Sequence, residues 1–544
     1  MDLTDEMFYL ATAKRFHDGD MLFRDDWNTG QLFGLLMMPF YDIYVFCHGS
    51  NEGIVLCSRI LFVVLELFSA GFLIKILVHY TKTFQAVLIA AACIFVYARG
   101  NIITISYYSL GFHTFLQTIL WWAEAEKRKD GKICCILAGF SFAVSVVCMP
   151  YMVILFVILS GTGIYWYTKG EFEKSRRTFW WLTGILLAAG MFMLYFWQRI
   201  PWKDLIEYIP MVFQDPGIEN AGVLEQFFDL VFYILTVFLK YTWPVYIVTF
   251  FLVIFIGNGH IRNSTILNIL PILLTVEFLV QSIYVRTYFE SGTILVFFLL
   301  VLQIQLAYPE HRLKWLERHF LIPGFLFGIP WVLGSNVGER VINMSILLMN
   351  LWAVPCLWSV SQKYGRKCRV FIRMSALWMF AVLFIIRMFD VYRDGSVSRL
   401  TFQISRGSMK GIYTEENRKD SYEKMASLLK EETDNNDKIV VLGTNPWVYM
   451  ETEALCGAYT VWKFDTEDLT HQQYYTRFPE KIPNTILIVP EEISIYESWK
   501  YSSHGVGMHR EDQPILEGIL KEILENEKYV CLEKDGAILY KSCL

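Results

Sequence analysis

Residues 54–79 read IVLCSRILFVVLELFSAGFLIKILVH, apolar or small apart from Arg59, Glu66, Lys75 and His79. A helix needs about 20 mostly apolar residues to cross the hydrocarbon core of a bilayer. This run is long enough, and it lacks the polar face that a surface helix shows to water. It reads as a membrane-spanning helix.

Working toward the C-terminus, the same pattern returns at 84–100, 103–123, 133–149, 151–167, 178–198, 228–257, 265–285, 291–307, 319–333, 341–360 and 370–389. Around Pro150 two readings stand, a hairpin of two spans or one long kinked helix, because proline removes a helix hydrogen bond. The whole chain of 544 residues is 54% hydrophobic and 19% charged. Soluble domains run about 45–50% and about 25%. The apolar excess stops at Asp390. The expected fold is therefore an α-helical polytopic membrane protein of about 12 spans (54–389), preceded by a polar segment (1–53) and followed by a small α/β domain (390–544).

Lysine and arginine set orientation, because short cytoplasmic connections carry them in excess. One set of alternate connections holds Lys82, Lys127–Lys129, Lys174–Arg177, Arg312–Arg318 and Lys363–Arg369; the other holds Arg99, Arg199, Lys203, Arg286 and Arg340. The first set belongs in the cytoplasm. Residues 1–53 and 390–544 are then both extracytoplasmic. No apolar segment precedes Asp2, and residues 1–20 are not a signal peptide. An upstream span is expected before this start; a short N-terminal tail is the alternative.

Residues 1–53 concentrate acids: Asp5, Glu6, Asp18, Asp20, Asp25 and Asp26. Thr4 can cap a helix whose first turn holds Asp5 and Glu6, where carboxylates suit the helix dipole. A carboxylate partly desolvated beside a bilayer can also accept a proton from an attacking hydroxyl. An Asp-Glu pair followed by Phe8 and Tyr9 in the first outer segment resembles the GT-C superfamily of membrane glycosyltransferases, nearest to its bacterial family-39-like group (RgtA/B/C/D-like, related to ArnT and PMT). The resemblance covers most of the membrane region and extends to architecture: a catalytic first outer loop, ten or more spans and an outer C-terminal domain.

That resemblance implies an inverting glycosyltransferase with Asp5 as general base, Glu6 orienting the acceptor or sharing that role, and Asp25 and Asp26 as weaker acceptor-site positions. It implies a polyprenyl-phosphate sugar as donor, and a cell-envelope glycan, a lipid-linked glycan or a protein as acceptor. A leaving lipid phosphate needs positive charge, and arginine matches its geometry. Arg286, among Tyr284, Tyr288 and Phe289, is the first candidate; Arg340, in a polar loop with Asn336, is the second. Membrane anchoring is the competing explanation for each, and also for Arg59 and Arg99. The polar stretch Asn101–Tyr108, with Tyr107, Tyr108 and then His113, reads as a pocket wall or as helix–helix hydrogen bonding. His48, His79 and His113 lack metal-ligand spacing, although Asp5, Glu6 or Asp25 could hold a divalent ion. The 11 cysteines show no paired metal spacing, and one disulfide could form among Cys456, Cys531 and Cys543. The connection 199–227 is long enough for an interfacial helix.

In the last unit, a helix is expected at 416–433, buried strands at 438–443 and 485–490, a helix from Asn445-Pro446 to about Ala454, a helix at 514–526, and strands near 528–533 and 536–541. No basic stripe with interleaved aromatics points to nucleic acid. Two other functions compete with the transferase: a transporter or flippase of lipid-linked glycans, for which Glu66 and Glu277 are the main mid-span charges, and a membrane scaffold presenting the outer domain.

Overall fold

The structure is a computed structural model that describes residues 1–197, 202–214, 264–284, 289–334, 342–463, 469–489 and 529–542, with Phe228 and Phe232. The span expected at 228–257 and the helix expected at 514–526 lie outside the described residues. The polar first segment is itself helical: α1 (Asp5–His17) and α2 (Gln31–His48) pack side by side. The sequence does not anticipate the second helix, which carries Pro39 inside it. Gly34 makes it fit, because a Cβ there would sit 2.3 Å from the Thr12 methyl.

The apolar region follows as α3 (Ile54–Tyr80), α4 (Phe84–Val96), α5 (Tyr107–Lys127), α6 (Lys132–Cys148), α7 (Val153–Thr168), α8 (Phe172–Trp197), a short α9 (Trp202–Tyr208), α10 (Ser264–Tyr284), α11 (Phe289–Ala307), α12 (Ile322–Gly334), α13 (Ile342–Ser361) and α14 (Arg366–Phe389). Among the described residues, five helical stretches are long and apolar enough to cross a membrane: Ile54–Tyr80, Pro150–Thr168, Phe172–Trp197, Ile342–Ser361 and Arg366–Phe389. Four shorter apolar helices accompany them. At Pro150 the chain breaks into two helices, and α7 leans on α8.

The bundle is built around α13, which is buried over 94% of its apolar window and touches α4, α11, α12 and α14. The outer helices turn apolar side chains outward, Leu186 at 71% and Ile164 at 68% exposure. Patches of this kind suit lipid, not water.

After α14 the chain forms two small hairpins, β1 (Asp390–Val391) with β2 (Gly395–Ser396) and β3 (Phe402–Gln403) with β4 (Tyr413–Thr414), then α15 (Glu416–Glu432). A five-stranded sheet follows, ordered β6-β5-β7-β9-β8, from β5 (Lys438–Val441), β6 (Leu455–Cys456), β7 (Thr485–Ile488), β8 (Tyr529–Lys534) and β9 (Ala537–Ser542). β5 runs parallel to both β6 and β7, so the strand order reverses there. The β8–β9 hairpin turns through Asp535 and Gly536, both left-handed at φ of 55° and 79°, which an Asp-Gly pair tolerates. The helix after Asn445-Pro446 covers only Val448–Glu451, shorter than expected. Cys456 and Cys531 are free thiols; Cys543 lies outside the described residues.

Candidate functional site

The start of α1 is held by Asp2, whose carboxylate accepts from the Thr4 amide at 2.9 Å, the Thr4 hydroxyl at 2.6 Å and the Glu6 amide at 3.1 Å. Thr4, expected as the cap, makes no side-chain cap bond. Burial, and then Asp5 beside it, push the Asp2 carboxyl above the ordinary carboxylate value. Asp2 thus fixes the helix turn that presents Asp5 and Glu6.

Those two neighbours meet different surroundings. Glu6 is 2% exposed, and both its oxygens accept from the Arg59 guanidinium of α3, at 2.7 Å each. This is the two-point fork that arginine makes with carboxylates. The Asp5 side chain is 18% exposed. Its Oδ2 accepts from the Tyr392 hydroxyl at 2.7 Å and lies 3.3 Å from Arg393 Nη1. Arg393 also donates to the Thr4 hydroxyl. Burial, and then Asp5, push the Tyr392 phenol well above its ordinary value, so it stays a donor. Arg393 holds a left-handed φ of 54° in the β1–β2 turn, a strained conformation that recurs at functional positions. Behind it, Asp394 accepts from Arg418 at 2.5 Å and from Thr414 at 3.1 Å.

Asp25 and Asp26 belong to another cluster, at the far end of α1. Arg15, 3% exposed, donates from Nε to Asp20 at 2.5 Å and from Nη2 to the Ala458 carbonyl at 2.7 Å, and also to the Asp25 carbonyl. Its Nη1 is 3.6 Å from Asp26 Oδ2. Lys481 lies 2.5 Å from Asp20 and 3.5 Å from Asp25. Trp27 donates its amide to the Tyr459 carbonyl at 2.9 Å, and its ring packs edge-on against Tyr474. Ala458 and Tyr459 directly follow β6. The carboxyl edge of a parallel sheet near its switch point is where ligands usually bind. Here the first segment docks there.

Tyr107 packs edge-on against Tyr9 of α1, and Tyr108 stacks over Trp331 at 5.8 Å. Tyr108 also lines a small cavity, about 10 Å³, among α3, α5, α13 and the turn after α4, room for about one water. Ser106, Ser109 and His113 line the same cavity. The two serines cap α5 reciprocally. Gly100 and Asn101 turn the chain there at φ of 57° and 61°, and Asn101 bonds the Ile386 carbonyl.

Arg286, Asn336 and Arg340 lie outside the described residues, and so does the Arg99 side chain. Among the described residues, no group of three or more His, Cys, Asp and Glu is placed to hold a metal ion. Sequence reasoning missed Tyr392, Arg393 and Arg418. Tyr392 and Arg393 follow the last apolar run and Arg418 lies in the first turn of α15, and nothing in their spacing ties them to Asp5. Compared with known proteins, the chain matches no family model and no curated protein. The site's chemistry therefore rests on its geometry. A reachable carboxylate, oriented by a phenol and flanked by arginine, can take a proton beside a place suited to an anion.

Proposed function

We propose that the protein is a membrane glycosyltransferase that moves a sugar from a polyprenyl-phosphate donor to an extracytoplasmic acceptor, with Asp5 as general base. The observation that supports it is the split between the two adjacent carboxylates: Glu6 is locked in a fork with Arg59, while Asp5 is partly exposed and held at one oxygen. The positive-inside bias of the connections puts both ends of the chain outside, where a donor must arrive through the bilayer.

In this reading the acceptor hydroxyl attacks the anomeric carbon. Asp5 takes its proton, the bond from sugar carbon to phosphate oxygen breaks, and the electron pair leaves on the lipid phosphate. Arg393 supplies positive charge beside Asp5, and Arg286 and Arg340 are the further phosphate ligands. Glu6 positions Arg59. Asp25 and Asp26 serve the docking cluster. The test is to reconstitute the full chain in nanodiscs with a panel of polyprenyl-phosphate hexoses and pentoses. Loss of lipid-linked sugar with an acceptor present supports the reading; no turnover of any donor across the panel overturns it.

A second reading, a transporter of lipid-linked glycans, has one observation in its favour. Glu66 on α3 is fully buried and paired with Arg387 at 2.9 Å. Charged pairs at membrane depth commonly mark a transport path. Sugar-lipid crossing the bilayer without transfer would favour it.

A further inference from the structure

We propose that Glu66 is a positioning residue for the transfer site: through Arg387 it fixes the end of α14, and so places Tyr392 against Asp5. The proposal rests on the transferase reading above and names what sets the geometry of its base.

Three observations carry it. The first is one face of α3. Arg59 and Glu66 are two turns apart, so they share a side of the helix and stand about 10 Å apart along its axis. Arg59 holds both oxygens of Glu6 at 2.7 Å. Glu66 Oε2 accepts from Arg387 Nη2 at 2.9 Å. Phe62 lies between them on α3, and the Arg387 guanidinium sits 5.4 Å from its ring. One helix thus grips α1 beside Asp5 with one ion pair and α14 with the other.

The second observation is how α14 ends. Arg387 lies in its last turn, the helix stops at Phe389, and β1 begins at the next residue, Asp390. No loop intervenes to absorb a roll of the helix. Tyr392 follows within β1–β2 and donates to Asp5 Oδ2 at 2.7 Å. The same stretch is held from the turn after α4. Asn101 donates its side-chain amide to the Ile386 carbonyl at 3.3 Å. Tyr392 packs on Gly100, where a Cβ would lie 3.3 Å from its ring. A small roll of α14 would therefore carry the Tyr392 hydroxyl away from Asp5.

The third is the character of the pair. Glu66 is fully buried, and its Oε1 has no hydrogen-bond partner among the described residues. A buried carboxylate left half satisfied is a poor source of stability, and apolar side chains of similar volume often serve as well or better. What an ion pair adds over apolar contact is direction: it is made in one register of the two helices and lost in others.

The experiment is a double-mutant cycle on the full chain in nanodiscs. Glu66→Leu with Arg387→Met replaces the pair by apolar side chains, a change that buried pairs commonly tolerate without loss of stability. With a donor that the native protein turns over, kcat of this pairless protein should fall about tenfold while KM for the donor holds, because alignment is lost and binding is not. On top of Tyr392→Phe, the same double change should cost less than about twofold more, because the contact it aligns is already gone. Glu66→Gln keeps an acceptor for Arg387 and is the milder arm. Its smaller kcat loss should also vanish in Tyr392→Phe, and it carries the cycle if the pairless protein does not fold. An unchanged kcat in folded pairless protein, or losses that multiply with Tyr392→Phe, overturns the assignment. So does a lipid-linked sugar that crosses the bilayer with the native protein and stops with the pairless one, which gives the pair to transport. If the native protein transfers from no donor, the transfer reading falls by itself, and melting curves decide the geometry. Tyr392→Phe should lower the native melting temperature and leave that of the pairless protein in place. An equal drop in both overturns the placement of Tyr392 by Glu66.

Discussion

The two ends of α1 carry similar charges in different states of closure. At its end, Arg15 and Lys481 face Asp20, Asp25 and Asp26, and every one of these side chains is at most 10% exposed. At its start, Arg59 and Arg393 face Asp5 and Glu6, and only Glu6 is sealed. Composition does not separate these clusters; access does. The closed cluster ties the first segment to the α/β domain. The open one keeps a carboxylate reachable between a helix and the β1–β2 turn.

The sharpest way to break this comparison is to neutralise one acid at the open end. Asp5→Asn keeps size and shape and removes the base. Transfer in nanodiscs should fall about 10²–10⁴-fold, the usual contribution of general base catalysis. The melting temperature should stay at the native value. Unchanged turnover would remove Asp5 from the chemistry.

The converse change, Arg15→Ala, should act on stability. It takes one cation from a cluster of buried carboxylates and leaves Asp20 to Lys481 alone, and removing one member of a buried ion pair costs about 3–5 kcal/mol. Thermal unfolding in detergent should shift down strongly, with faster proteolysis of the α/β domain. A native melting curve would show that the closed cluster is not a structural tie.

Tyr392→Phe asks whether the open end is oriented from the α/β side. It deletes one hydrogen bond to Asp5, and a bond to a charged group contributes about 1.5–3 kcal/mol. About a tenfold loss in kcat is expected, with KM little changed. A structural role alone would lower protein yield and leave kcat per folded molecule in place.

Much of the frame was legible in residues and their spacing. α3 was expected at 54–79 and runs Ile54–Tyr80, because a long apolar run has few alternatives. The strands at 438, 485, 528 and 536 were visible for the same reason, as short β-branched runs bounded by turns. α2 was not, since Gly34 acts through Thr12 on another helix and Pro39 argues locally against it. The site was half legible. Acids in the first turn of α1 stood out, but the partners of Asp5 come from residues 392 and 393, 387 residues or more along the chain. Arg15 does not stand out in the sequence, and only the fold reveals that it reaches Ala458.

The smallest effect lies inside the closed cluster and separates two aspartates there. Burial pushes the Asp20 carboxyl up, but Arg15 and Lys481 outweigh it and leave it below its ordinary value. Burial, and then Asp20 itself, push Asp25 above its ordinary value. The linkage signs are opposite. A lowered folded value contributes stability above the unfolded pKa of about 3.9 and loses it as pH falls through the folded value. A raised folded value contributes stability below about 3.9 that is lost as pH rises through the folded value. Asp20→Asn should therefore be destabilising at pH 7, with its deficit closing as pH falls below about 3.9. Asp25→Asn should gain on the native protein from pH 3 to pH 7, because Asn keeps an acceptor for the Met21 amide and sheds a charge that Asp20 repels. Denaturation curves of the two variants across that range check it. Parallel slopes would mean that the five charges titrate as one unit, and that the closed end is a tie without internal division of labour.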